Sequence, residues 1–202
     1  MSKIRFIAYW HSARRFNDEK LTVRRWDLWN KVLDKTKYSK KVEKGELSSK
    51  DVAKHHHTNG LLYDFCAFNE NSQYPYAYVT ISMGKPHIGV NFIDNSCRKY
   101  LSYHFRKAEK QEDQLFLREV WFYDFSSEDV EEEDSRIHFV FDEEGNVNYR
   151  VYDSINQKTM DYESKEPFDI SNLYEPYPEF DKYDSVLKIE RNIPILNQNI
   201  DK

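Results

Sequence analysis

From Leu61 onward the sequence reads as one short strand after another, and this run constrains the fold more than any other feature. "LLYDFCAF" (61–68), "YAYVTISM" (76–83) and "HIGVNFID" (87–94) are apolar segments of strand length, the last two joined by the compact connection "GKP". "RKYLSYHFRK" (98–107) follows. In "QLFLREVWFYDF" (114–125), Leu115, Leu117, Trp121, Tyr123 and Phe125 share one side with Glu119, while Phe116, Arg118, Val120 and Phe122 take the other. Both sides are largely apolar, which predicts a central strand covered on both faces. "RIHFVFDEEGNVNYRVY" predicts a hairpin: Ile137, Phe139 and Phe141 alternate outward and Val147, Tyr149 and Val151 alternate back. "KTMDYES" (158–164) adds a further strand. Consecutive strands with short connections specify an antiparallel meander of about six to seven strands.

The first sixty residues differ. "KIRFIAYW" (3–10) alternates as a strand. Beyond it, Trp26, Trp29 and Leu33, with Leu21, Leu28 and Val32 adjoining, define one broad apolar side of a helix over 18–36, opposite Arg24, Asp27 and Lys31. Ser48, with Asp51 three residues on, predicts the start of a second helix running to about His56, and Asn59-Gly60 a turn. The expected fold class is therefore α+β. It is a single domain with a basic, largely helical part (1–60) whose helices pack on one face, an antiparallel sheet (61–164), and an irregular acidic and aromatic arm (165–202). Pro176 and Pro178 keep regular central structure out of that arm.

Charge follows the same division. Residues 1–60 hold 15 Lys and Arg against 7 Asp and Glu, a balance of +8; residues 61–202 hold 15 against 28, a balance of −13. With 15 Tyr, 13 Phe and 4 Trp, the chain carries too much aromatic surface to remain unfolded. Two cysteines, Cys66 and Cys97, are too few for a disulfide framework and predict buried, reduced thiols. The apolar stretch near the start is shorter than the roughly 7–15 residues of a secretory core, and no run approaches the ~18–20 apolar residues of a membrane span. The expected location is the cytoplasm, without membrane association.

Motifs for chemistry are missing. There is no G-x-S-x-G elbow, no Walker loop and no G-x-G-x-x-G. "KHHHTNG" (54–60) places three histidines in sequence, but on a helix their directions differ by about 100° each, so they do not converge on one metal. No metal or cofactor is implied. "SARRF" and "TVRRWDLW" mix arginine with aromatic rings, as nucleic-acid surfaces do, yet the −13 balance downstream opposes a polyanion.

What remains is acidic and aromatic surface. Six of the ten residues in "SSEDVEEEDS" (126–135) are acids, and their composition predicts a solvated connection. In the arm, Tyr174, Glu175, Tyr177, Glu179, Asp181 and Tyr183 interleave rings with carboxylates, a pattern suited to anchoring and steering a basic protein partner. In this general character, though in no residue string, the chain resembles small bacterial inhibitors such as toxin immunity proteins. That resemblance implies a non-enzymatic, protein-binding inhibitor of the toxin-immunity or anti-defence kind. The competing expectations are an enzyme or small-ligand binder with a pocket between sheet and helices, and nucleic-acid binding through the basic N-terminal third.

Overall fold

The computed structural model describes residues 3–33, 36–70, 72–127, 132–191 and 193. It is mostly antiparallel sheet with three α-helices among the described residues, and it forms two compact units, Met1–Tyr100 and Leu101–Lys202. The units carry opposite charge: 18 Lys and Arg against 10 Asp and Glu in the first (+8), 12 against 25 in the second (−13).

In the first unit, β1 (Lys3–Arg5) pairs with β4 (Leu62–Phe68), which pairs with β5 (Ala77–Ser82), which pairs with β6 (His87–Ile93). β2 (Tyr9–Trp10) and β3 (Arg15–Phe16) form a separate two-stranded ladder. The strand expected over 3–10 is thus broken at 6–8, where Phe6, Ile7 and Ala8 are buried. Ala8 donates its N–H to the Thr22 hydroxyl instead of to a neighbouring strand. β4 is buried from Tyr63 to Phe68, as a strand covered on both sides must be. Cys66 and Phe68 pack with Ile7, Tyr9, Ile93 and Cys97; both cysteines are buried free thiols.

α1 (Glu19–Trp29), α2 (Tyr38–Glu43) and α3 (Ser49–Thr58) complete the unit. Asp18 caps α1 through the Leu21 N–H, and Ser48 with Asp51 closes the predicted reciprocal capping box on α3. Two expectations for this region need correction. The helix over 18–36 stops at Trp29, because Lys31 takes a left-handed conformation (φ 54°) and α2 follows. Its buried side shares only Trp26 with the expected apolar side: Thr22, Val23, Trp26 and Asp27 are buried, whereas Leu21, Leu28, Trp29 and Leu33 are exposed. Asp27 is buried because its carboxylate accepts the N–H groups of Tyr38 and Ser39 and the Ser39 hydroxyl, holding the start of α2 against α1.

β7 (Lys99–Lys107) runs into the second unit, where it pairs with β8 (Gln114–Asp124). β9 (Ser135–Phe141), β10 (Val147–Asp153) and β11 (Lys158–Glu163) continue the meander. β12 (Tyr174–Pro176) lies beside the first residues of β8. Strands are therefore more numerous than six or seven: the meander from β4 to β11 alone has eight, and β12, three residues ending in Pro176, carries too little periodicity to be read from sequence. The β9–β10 hairpin forms in the predicted register, with Val147 opposite Phe141. Its turn needs Gly145, at φ +90°, where a Cβ would meet the Phe168 carbonyl oxygen at 2.8 Å. Leu173, Tyr183, Val186, Leu187 and Ile193 from beyond the meander are buried in this unit, and the Tyr103 hydroxyl donates to the Ile189 carbonyl.

Candidate functional site

Strand register sorts the second unit into two faces. Val120, Phe139, Phe141 and Val147 point one way and are buried. The other way point two adjacent cross-strand rows: Trp121, His138, Arg150 and Asp161 in one, Tyr123, Arg136, Tyr152 and Thr159 in the next. Here Trp121, Tyr123, Arg136, His138 and Tyr152 are all half-exposed. The expectation that β8 is covered on both faces holds for Leu115, Phe116 and Leu117 and fails from Trp121 on, beyond a register shift at His104/Phe105.

These rings form a platform. The Trp121 indole lies 3.9 Å from the His138 imidazole at 8°. It stands at 6.4 Å and 21° to Tyr123, and at 6.2 Å and 20° to Tyr152. The Arg136 guanidinium sits 4.7 Å from the Tyr152 ring centre and 5.9 Å from that of Trp121, while Glu133 pairs with it at 3.1 Å. Glu119 meets the His138 Nε2 at 3.2 Å and orients that ring. Beside the platform, an open depression of about 400 Å³ is lined by His138, Asn148, Arg150 and Asp161, among others.

The acidic connection between β8 and β9 opens next to this platform. Asp134 donates its N–H to the Asp124 carbonyl, and Asp124 faces Ser135 in register, so the connection leaves the strands at the Tyr123–Arg136–Tyr152 end. Residues 128–131 of the stretch, three of them acids, lie outside the described residues. A flat ring surface beside a carboxylate can hold a guanidinium or ammonium group, because the ring quadrupole and the carboxylate attract it together. Arg136 already occupies such a position within the chain.

The six arm residues do not form one ionic surface. Tyr174 packs on Phe116 with ring centres 5.0 Å apart and donates its hydroxyl to Glu143. Burial and that carboxylate push its phenol up to about 12. Glu175 accepts Arg191 at 2.7 Å, and Glu179 pairs with Lys182 at 2.6 Å. Tyr177 is half-buried, Asp181 is exposed at φ 69°, and Tyr183 is 2% exposed, inside the core. The platform residues Trp121, Tyr123, Arg136, His138 and Tyr152 escaped the sequence reading. The signal was present: Arg136 and His138 alternate with Ile137 and Phe139 and face the β8 rings.

The three histidines of α3 take separate partners: His55 the Tyr38 hydroxyl, His56 the Leu62 carbonyl and His57 the Tyr63 hydroxyl. Among the described residues no three His, Cys, Asp or Glu side chains are grouped to hold a metal ion. No described helix is long and apolar enough to cross a membrane. His56 is fully buried, and desolvation holds its imidazole below the ordinary histidine range. Burial lowers His11 and His57 as well. A folded-state value below the unfolded one means that the unfolded chain takes up the proton first. Stability should therefore fall as pH drops below about 6.5 toward the folded-state values. Thermal melting between pH 7.5 and 5 should show a falling midpoint, and His56→Gln should flatten that slope. An unchanged slope would mean that His56 does not set it.

Compared with family models, characterised proteins and solved structures, the chain has no significant match to any of them.

Proposed function

We propose that this chain is a non-enzymatic, protein-binding inhibitor of the toxin-immunity or anti-defence kind, and that it takes a cationic partner on the aromatic side of its acidic second unit. The observation that carries this reading is the guanidinium of Arg136, held over Tyr152 and Trp121 with Glu133 beside it. The platform already accommodates the group that a basic partner would present. The −13 balance of the unit supplies long-range attraction and speeds encounter. Tyr174, Tyr177 and Asp181 lie outside the platform and act as secondary contacts. A cytoplasmic site of action suits the two free thiols.

The small-ligand alternative has one observation in its favour. A cavity of about 650 Å³ in the first unit is lined by Arg5, Asn17, Asp18, Glu19, Ser49 and Lys50, among others. Two of its polar groups are already paired with each other, however, since Glu19 accepts the Ser49 N–H at 2.7 Å.

The deciding experiment is affinity capture of a partner with purified chain, followed by binding measurements across a salt series. Affinity for a basic protein should fall steadily with ionic strength, and Trp121→Ala or Tyr152→Ala should weaken it by roughly tenfold or more, as loss of an aromatic anchor does. Salt-independent binding would remove the electrostatic part. Full affinity in Trp121→Ala would remove the platform, and the absence of any protein partner would remove the proposal.

A further inference from the structure

α1 has a second apolar side, and it faces solvent. Leu21, Leu28 and Trp29 fall at i, i+7 and i+8, on one stripe of the helix, with Arg25 between them at i+4. They are 47%, 64% and 42% exposed, and Leu33 just beyond the helix is 76% exposed. Arg25 does not cover the stripe with a polar cap; its guanidinium lies 4.0 Å from the Trp29 ring centre and extends the flat surface. The side that anchors the helix in its own unit, Thr22, Val23, Trp26 and Asp27, lies opposite. The stripe is thus spare to the fold. Large contiguous apolar surface on a helix is a recurring mark of an interaction site.

The rim identifies the occupant by its charge. Around the stripe stand Arg24, Arg25 and Lys31, together with Lys20, which is paired with Glu43. The acids of the same helix are engaged within the unit: Asp27 is buried against Tyr38 and Ser39, and the exposed Glu19 accepts the Ser49 N–H. A second copy presenting this same stripe would bring like charges together across the contact, which is unfavourable. An anionic bilayer or nucleic acid would attract the +8 unit but repel the −13 unit of the same chain. A compact acidic segment escapes both penalties.

We infer that the outer stripe of α1 (Leu21, Arg25, Leu28 and Trp29) is a docking surface for an acidic amphipathic helix of a partner protein. Its apolar anchors cover the leucines and Trp29, and its flanking carboxylates pair with Arg24, Arg25 and Lys31. The mode is helix against helix, with anchors spaced three and four residues apart. This surface is independent of the platform on the second unit, and its charge preference is the reverse.

The test uses the full chain and a fluorescein-labelled helical peptide of about four turns, with leucines three and four residues apart and glutamate elsewhere; a companion peptide has lysine for every glutamate. Anisotropy should show the glutamate peptide binding at least tenfold more tightly than the lysine peptide. Leu28→Glu should abolish that binding, and Trp29→Ala should weaken it several-fold. Both positions are exposed, so the variants should melt with the parent, and Trp121→Ala should leave peptide binding unchanged. Equal binding of the two peptides, or full binding by Leu28→Glu, would overturn the inference. So would Leu28-dependent self-association in sedimentation, or Leu28-dependent binding to phosphatidylserine vesicles without binding of the glutamate peptide.

Discussion

Arg191→Ala should lower the thermal midpoint on the order of 10 °C, a loss of about 3–5 kcal/mol. The Arg191 side chain is fully buried, and its Glu175 partner is 13% exposed. One guanidinium nitrogen donates to Glu175 and to the Asn172 carbonyl, and the other to the Ser185 carbonyl. The same group lies over Tyr103 and Phe105, at 5.4 and 5.1 Å from the ring centres. Alanine would leave a carboxylate and two carbonyls without their donor in a dry site, and the penalty of such orphaned groups exceeds the value of the contact itself. The segment from Asn172 to Arg191 should detach first, so limited proteolysis should cut there in the variant. Pairing Arg191→Met with Glu175→Leu should recover much of the loss, because both charges then disappear together. A melting curve for Arg191→Ala that overlays the parent would show that the ion pair does not hold this segment.

Trp26→Ala should be of similar size in the first unit, about 3–5 kcal/mol from the lost indole and the cavity it leaves. Trp26 is fully buried against Tyr63 and His56, and its Nε1–H donates to Asp64 at 3.1 Å. Asp64 is buried too, and desolvation pushes its carboxyl up, opposed by hydrogen bonds from Thr80 and Trp26 and by the charge of Arg25. Trp26→Phe keeps most of the volume and removes only the donor. Without that donor the folded-state carboxyl rises further. A raised folded value gives a contribution that is full below the unfolded value near 3.8 and is lost as pH rises through the folded one. The deficit of Trp26→Phe relative to the parent should therefore be larger at pH 7 than at pH 4, measured by denaturant unfolding at both. A deficit independent of pH would assign the loss to packing and not to Asp64.

Much of the strand framework was legible in the sequence. The β9–β10 hairpin came out in register because alternation and the "DEEGN" turn are local signals. α3 began at Ser48 because a capping box needs only four residues. α2 was missed: six residues give no usable periodicity, and its start is held by Asp27, eleven residues away. The change of character at residue 60 is compositional, whereas the compact units divide at Tyr100, since contact and not composition defines them. The arm pattern of rings and acids was visible, and Lys182 stands three residues from Glu179, but Arg191 reaches Glu175 across sixteen residues, beyond any local signal.

By itself the sequence determined where the chain extends, turns and starts a helix, and how its charge is divided, because each depends on residues a few places apart. Only the tertiary structure decided which apolar side is covered. α1 has two such sides, and the one with Trp26 is buried because Asp64 and Tyr63 wait there, while Leu28 and Trp29 stay in solvent. β8 has two as well, and Trp121 and Tyr123 remain half-exposed while Val120 is buried. Hydrophobicity is a property of a residue, but burial belongs to whatever packs against it, and that partner is distant in the chain.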